Sequence, residues 1–182
     1  MKSMAFAAPG FLLAYGILRW IDGLDGHRKG GPAWTLGHLA FFASTALFAV
    51  LAVLLYRRAT MARRVALVAL AASVSGAGLM LWVIAGDLSA SFRDRWPLPD
   101  PLQIAGPALF CLGLITLLSV QVAADRLPVW SPILFFLGYT AISINLDLLP
   151  LAGVLILGAA VPLAPALAPP PPIRAAEPSP QA

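Results

Sequence analysis

Long apolar runs alternate with short polar windows along this chain, and the runs have the length of membrane crossings. A hydrocarbon core roughly 30 Å thick is spanned by about 20 apolar residues in a helix. On that basis the runs predict helices at about 5–21, 35–56, 64–86 and 104–122. The runs are apolar all round, without the period-two alternation of a membrane β-strand. In lipid a helix satisfies its own backbone polar groups, which an open strand cannot do. The first run follows a Lys near the start of the chain, as a secretory leader would. However, residues 19–22 lack the small-x-small cleavage pattern and more apolar runs follow, so the reading is an uncleaved first helix.

The last apolar region, 130–167, is too long for one ordinary crossing. Asn145, Leu146 and Asp147 interrupt it and Pro150 follows. Asp147 at a helix start, with Pro150 tolerated in the first turn, splits the region into helices at about 131–145 and 147–163. The expected fold is therefore all-α: a polytopic transmembrane helix bundle of six spans over residues 1–163. One long kinked helix would make five spans, and a re-entrant hairpin is a third arrangement. Residues 164–182 read as a disordered Pro-rich tail, because proline at that density neither continues a helix nor builds a core.

Composition agrees with this pattern. The chain is 60% hydrophobic and 11% charged, too few charges to cover a soluble surface. The net charge of +4 is not a nucleic-acid signature, since the basic residues flank apolar runs. Cys111 is the single cysteine, so no intrachain disulfide can form, and within an apolar run it acts as a small hydrophobe. The overall usage of Ala, Leu, Gly, Pro and Arg is similar to that of small multi-pass proteins from high-GC bacteria, which points to a cell membrane. Arg57, Arg58, Arg63 and Arg64 cluster in one short loop without an acid, which puts loop 57–64 and the N-terminus on the cytoplasmic side. The windows around 22–34 and 87–101 then face outward. Trp20, Trp34, Trp96 and Trp130 fall at or beside helix ends, where indole prefers the headgroup zone.

Candidate chemistry is sparse. His38 lies one turn into the second helix and Asp87 at the end of the third, so antiparallel packing would bring both to one outer level. Asp22, Asp25 and His27 occupy the adjoining window. Imidazole with carboxylates suits a divalent metal or proton handling, which makes His38, Asp87, His27 and Asp25 the metal candidates. The plainer reading is a solvated Gly-rich hinge, with Asp87 paired to an arginine such as Arg93; the spacing matches no metal motif, and no cofactor is expected.

On the third helix Ala69, Ser73, Gly76, Met80, Val83 and Asp87 share one face, and Ser75 and Gly78 are small neighbours. On the second, His38, Thr45, Ala49 and Ala52 form a comparable stripe; Gly106, Gly113 and Thr116 form a weaker one on the fourth. Small faces suit close helix packing, self-association or contact with a membrane-protein partner. The stripes on the second and third helices share the His38 and Asp87 end, so a cavity, if present, opens there. Tyr139, Thr140, Ser143, Asn145 and Asp147 form a polar cluster near the break, where Asn145 and Asp147 cap helices or hold an ion. No nucleophile elbow or phosphate loop is present. The leading functional expectation is a non-enzymatic accessory or interaction component of the membrane. Its rivals are a small-solute, proton or divalent-metal transporter using His38 and Asp87, and a membrane enzyme or metal-binding protein using the loop between the first two helices.

Overall fold

The computed structural model describes residues 2–24 and 31–166, and every described regular element is helical. The long helices are α1 (Lys2–Asp22), α2 (Pro32–Arg58), α3 (Arg63–Leu88) and α5 (Asp100–Ala123). α4 (Ala90–Arg95) is a short helix between α3 and α5. α6 (Trp130–Ile144) leads through a 3-10 turn at Leu146–Leu148 into α7 (Leu149–Ala160) and a final turn, α8 (Leu163–Ala166). Among the described residues three helices, α2, α3 and α5, are long and apolar enough to cross a membrane, while α6 and residues 146–160 are apolar but shorter.

Local chemistry sets the boundaries. Pro32 opens α2 behind an extended Gly31, because proline's missing N–H is an orphan donor at that position anyway. Arg57 and Arg58 close the same helix, where cations complement the carbonyl end. The tight turn into α3 is made by Ala62 at φ 48. Asp100 lies in the first turn of α5, the end that favours a negative charge. The break in the last apolar region is real, but its cap is Asn145, not Asp147. Asn145 leaves α6 extended, and its Oδ1 accepts from the Asp147 N–H at 2.9 Å. Two further boundaries differ from the sequence reading. Ser89 accepts from the Phe92 N–H and starts α4, a helix not expected in that window. Residues 163–166, placed largely in the expected tail, form α8, which packs on α1 with Leu163 buried. The rest of that tail lies outside the described residues.

The helices close into a ring. α1 packs on α2, α2 on α3, α3 on α5, α5 more sparingly on α6, α6 on α7, and α7 returns to α1. Glycines set the closest approaches. A Cβ at Gly106 would stand 2.9 Å from Leu79 Cβ, and one at Gly113 would stand 2.6 Å from the Ser73 backbone nitrogen. On the opposite side of the ring, a Cβ at Gly16 would meet Pro150 N at 2.8 Å and one at Gly153 would meet Leu13 Cα at 2.8 Å. Small residues let backbones approach where lipid supplies no hydrophobic drive between helices. The buried face of α3 is the expected one for Ala69, Ser73, Gly76 and Met80, whereas Ser75 and Gly78 face outward.

The two ends of the bundle differ. One gathers the α2–α3 turn and the α5–α6 connection, where Arg126 donates to the Arg58 carbonyl and to Thr60 Oγ1, and Arg63 stacks over the Tyr56 ring at 5.2 Å. The other gathers the ends of α1 and α3, the start of α2, α4 and the α6–α7 turn. There Trp20 Nε1 donates to the Asp147 carbonyl at 2.7 Å and Trp82 Nε1 to the Trp96 carbonyl at 3.0 Å. We call these the arginine end and the His–Asp end.

Candidate functional site

His38 and Asp87 do converge. The second turn of α2 carries His38 and the last turn of α3 carries Asp87; His38 Nε2 lies 3.8 Å from Asp87 Oδ2. The imidazole is 4% exposed and the carboxylate 40%, so the pair joins a buried group to a partly wet one. His38 Nδ1 is 2.9 Å from the Trp34 carbonyl oxygen. A carbonyl only accepts, so Nδ1 carries the hydrogen, and in the neutral ring Nε2 presents a lone pair to the carboxylate. Trp34 covers one side of the imidazole at 3.8 Å between centroids, and Tyr15 meets it edge-on at 5.5 Å.

A cavity of about 300 Å³ lies inside the ring behind this pair. His38, Asp87, Tyr15, Gln103, Tyr139 and Ser143 contribute its polar wall. Its floor is apolar, with Phe48 edge-on to both Phe110 and Phe135 at 6.0 and 5.9 Å. Gln103 and Ser143 are exposed, so the space opens at the His–Asp end, where the shared end of the two small-residue stripes locates it. Pro107 in α5 has no N–H to offer the Gln103 carbonyl, and its own carbonyl accepts from the Tyr139 hydroxyl at 2.9 Å.

No protein-family model matches the chain, and no curated protein or solved structure does.

The remaining candidates fall as follows. Asp22 is buried as the last residue of α1 and lines a small crevice with Arg19, Trp34 and His38. Asp25 and His27 lie outside the described residues. Among the described residues no three of His, Cys, Asp and Glu come together, so the metal candidates inside the structure are the two members of the pair. Arg93, expected beside Asp87, has its Nε 4.0 Å from Asp94 Oδ1, and Asp87 faces His38 instead. Asn145 and Asp147 sit at the α6–α7 turn, with Asn145 as the cap and the Asp147 carbonyl as the acceptor of Trp20. Cys111 is buried in α5 and is not part of the cavity wall.

Sequence reasoning grouped Tyr139 and Ser143 with the helix break and not with His38. It also passed over Gln103 and the three phenylalanines of the floor. Pro107 within an apolar run was the available signal, since an internal proline breaks the hydrogen-bond ladder of α5 beside Gln103. The aromatic residues carried none, because Phe at helical spacing is ordinary packing.

Proposed function

We propose that this chain is a six-crossing membrane protein that binds and carries a small solute through the cavity at His38 and Asp87, with the arginine end in the cytoplasm. The carrying observation is the cavity of about 300 Å³ whose wall holds both ionisable residues. Ionisable groups within an apolar bundle are costly and mark functional positions. A largely apolar pocket with a few convergent polar groups has the form of a small-molecule site. Binding fits the wall better than catalysis does: the hydroxyls of Ser44, Thr45, Tyr139 and Ser143 donate to backbone carbonyls, so none is poised against His38 as a nucleophile. The accessory role has less to work with, because Gly76, Gly106 and Gly113 are used in the α3–α5 contact within the chain.

The test is occupancy. The full chain extracted in mild detergent is compared with Ile142→Trp, which places a larger side chain in the cavity wall. Native mass spectrometry should find a small-molecule adduct on the wild type that the filled variant lacks at equal thermal stability. Identical spectra from the two would remove the reading. Orientation is checked in intact cells with Thr60→Cys and Ser91→Cys in a Cys111→Ala background; an impermeant maleimide should label position 91 and spare position 60.

A further inference from the structure

The hydrogen-bonding sense of the cavity wall is one-sided. Ser44 Oγ donates to the Ala8 carbonyl at 2.7 Å and Thr45 Oγ1 to the Phe41 carbonyl at 2.9 Å. Tyr139 donates to Pro107 O, Ser143 donates to Tyr139 O at 3.1 Å, and His38 donates through Nδ1 to Trp34 O. Gln103 Nε2 gives its hydrogens to Leu98 O at 2.9 Å and Asp100 Oδ1 at 3.3 Å. Tyr15 is the exception: its hydroxyl has no such acceptor among the described residues and keeps its hydrogen, and the charges of Arg19 and then Asp87 act on it. What the other groups leave to a solute is mainly lone pairs: imidazole Nε2, a carboxylate and hydroxyl oxygens.

Charge points the same way. Among the described residues, no Lys or Arg lines the cavity. Arg19 lines the separate crevice with Asp22, and Arg93 lines a crevice beneath α4 on another side of Asp87, with its Nε directed to Asp94. The rest of the wall is rich in aromatic rings, whose faces attract cations. A carbonyl-bearing or anionic solute finds few free donors here and meets the Asp87 carboxylate. A bare metal ion finds two ligands and an apolar remainder that offers it nothing.

We propose that the cavity takes a lipophilic ammonium, a protonated primary or secondary amine on an apolar or aromatic body, with its N–H groups set between His38 Nε2 and Asp87 Oδ2. The 3.8 Å gap between those atoms is too long for a direct hydrogen bond and wide enough for one N–H-bearing group to approach both. The amine's apolar body lies against Phe48, Phe110 and Phe135. This inference rests on the cavity being a binding site.

The experiment places the full chain in phosphatidylcholine nanodiscs and measures binding of 2-phenylethylammonium, neutral 2-phenylethanol and anionic 3-phenylpropanoate by calorimetry, with empty discs as the baseline. The ammonium should bind, and the alcohol and carboxylate should bind at least tenfold more weakly. Asp87→Asn should weaken the ammonium at least tenfold without changing the alcohol, and Asp87→Glu should restore it. If Asp87→Asn does not fold, the wild-type charge series and Asp87→Glu decide. Alcohol and ammonium binding equally, or an Asp87→Asn variant with unchanged ammonium affinity, overturns the cation preference and leaves the cavity a binding site. No binding of any of the three overturns the ammonium proposal, and with identical adducts on wild type and Ile142→Trp it removes the site as well.

Discussion

The two halves of the bundle interior are built from the same helices and end differently. Toward the arginine end, Leu51, Leu55, Leu114, Leu118, Ile156 and Leu163 surround a residual void of about 10 Å³. Toward the His–Asp end the void is about 300 Å³. The polar groups divide in parallel. In the packed half Gln121 and Ser131 bridge helices, Gln121 Nε2 donating to Leu55 O at 3.0 Å and Ser131 Oγ to Ala159 O at 2.7 Å, while Ser73, seated against Gly113, bonds back to Ala69 O at 2.9 Å. In the hollow half His38, Thr45 and Ser143 bond back to their own helices, four residues earlier. Ser44 and Tyr139 are the wall hydroxyls that cross, to α1 and α5. A polar side chain that bridges pulls two helices together; one that turns back on its own helix leaves its neighbour free to stand away, unless a glycine such as Gly113 lets the backbones close without a bridge. Phe48, set between Phe110 and Phe135, marks where the first regime gives way to the second.

The contrast can be broken most severely at its tightest seam. Gly113→Val would press on Ser73 and the backbone of α3, which cannot rotate aside, and should cost about 3 kcal/mol. A large fall in the detergent melting midpoint checks it; an unchanged midpoint would mean that α3 and α5 do not pack this way. Ser131→Ala removes a buried bridge between α6 and α7 and leaves the Ala159 carbonyl with one partner fewer, for about 1 kcal/mol. Thr45→Val, in the hollow half, loses only a bond within its own helix and should cost no more than about 0.5 kcal/mol. Equal losses from Ser131→Ala and Thr45→Val would erase the distinction between the halves. Gly78→Ala is the control on the outer face of α3, with nothing within 4 Å of the added methyl; helix propensity should make it neutral or stabilising by up to about 1 kcal/mol.

Much of this was legible in the residue order. Helix length carried the convergence of His38 and Asp87: a group near the start of α2 and a group in the last turn of α3 must share a level once the Arg57 to Arg64 turn is tight. The 4-3-4 spacing of Ala69, Ser73, Gly76 and Met80 gave the correct inward face of α3. The ring order was not legible, because helices apolar on every side carry little directional information about their neighbours. Gly16 and Gly153 look like any membrane glycines until α7 is laid against α1. The void was hidden for a related reason. Phe48, Phe110 and Phe135 read as bulk that fills space, and only their joint placement holds helices apart. α4 had a readable start in Ser89, masked by the charges that made its window look like plain loop.

The closure of α7 on α1 has a consequence in time. Trp20 and its acceptor at Asp147 are separated by 127 residues. At a synthesis rate of about 5–20 residues per second, α1 waits on the order of 6–25 s before the partner for its Gly16 face exists. During that interval the nascent first helix offers a bare groove to whatever neighbour the translocation machinery supplies. Ribosome-stalled chains ending before position 149 are therefore where crosslinking from Leu13→Cys, on the face that meets Gly153, should find chaperone contacts that the finished protein has lost.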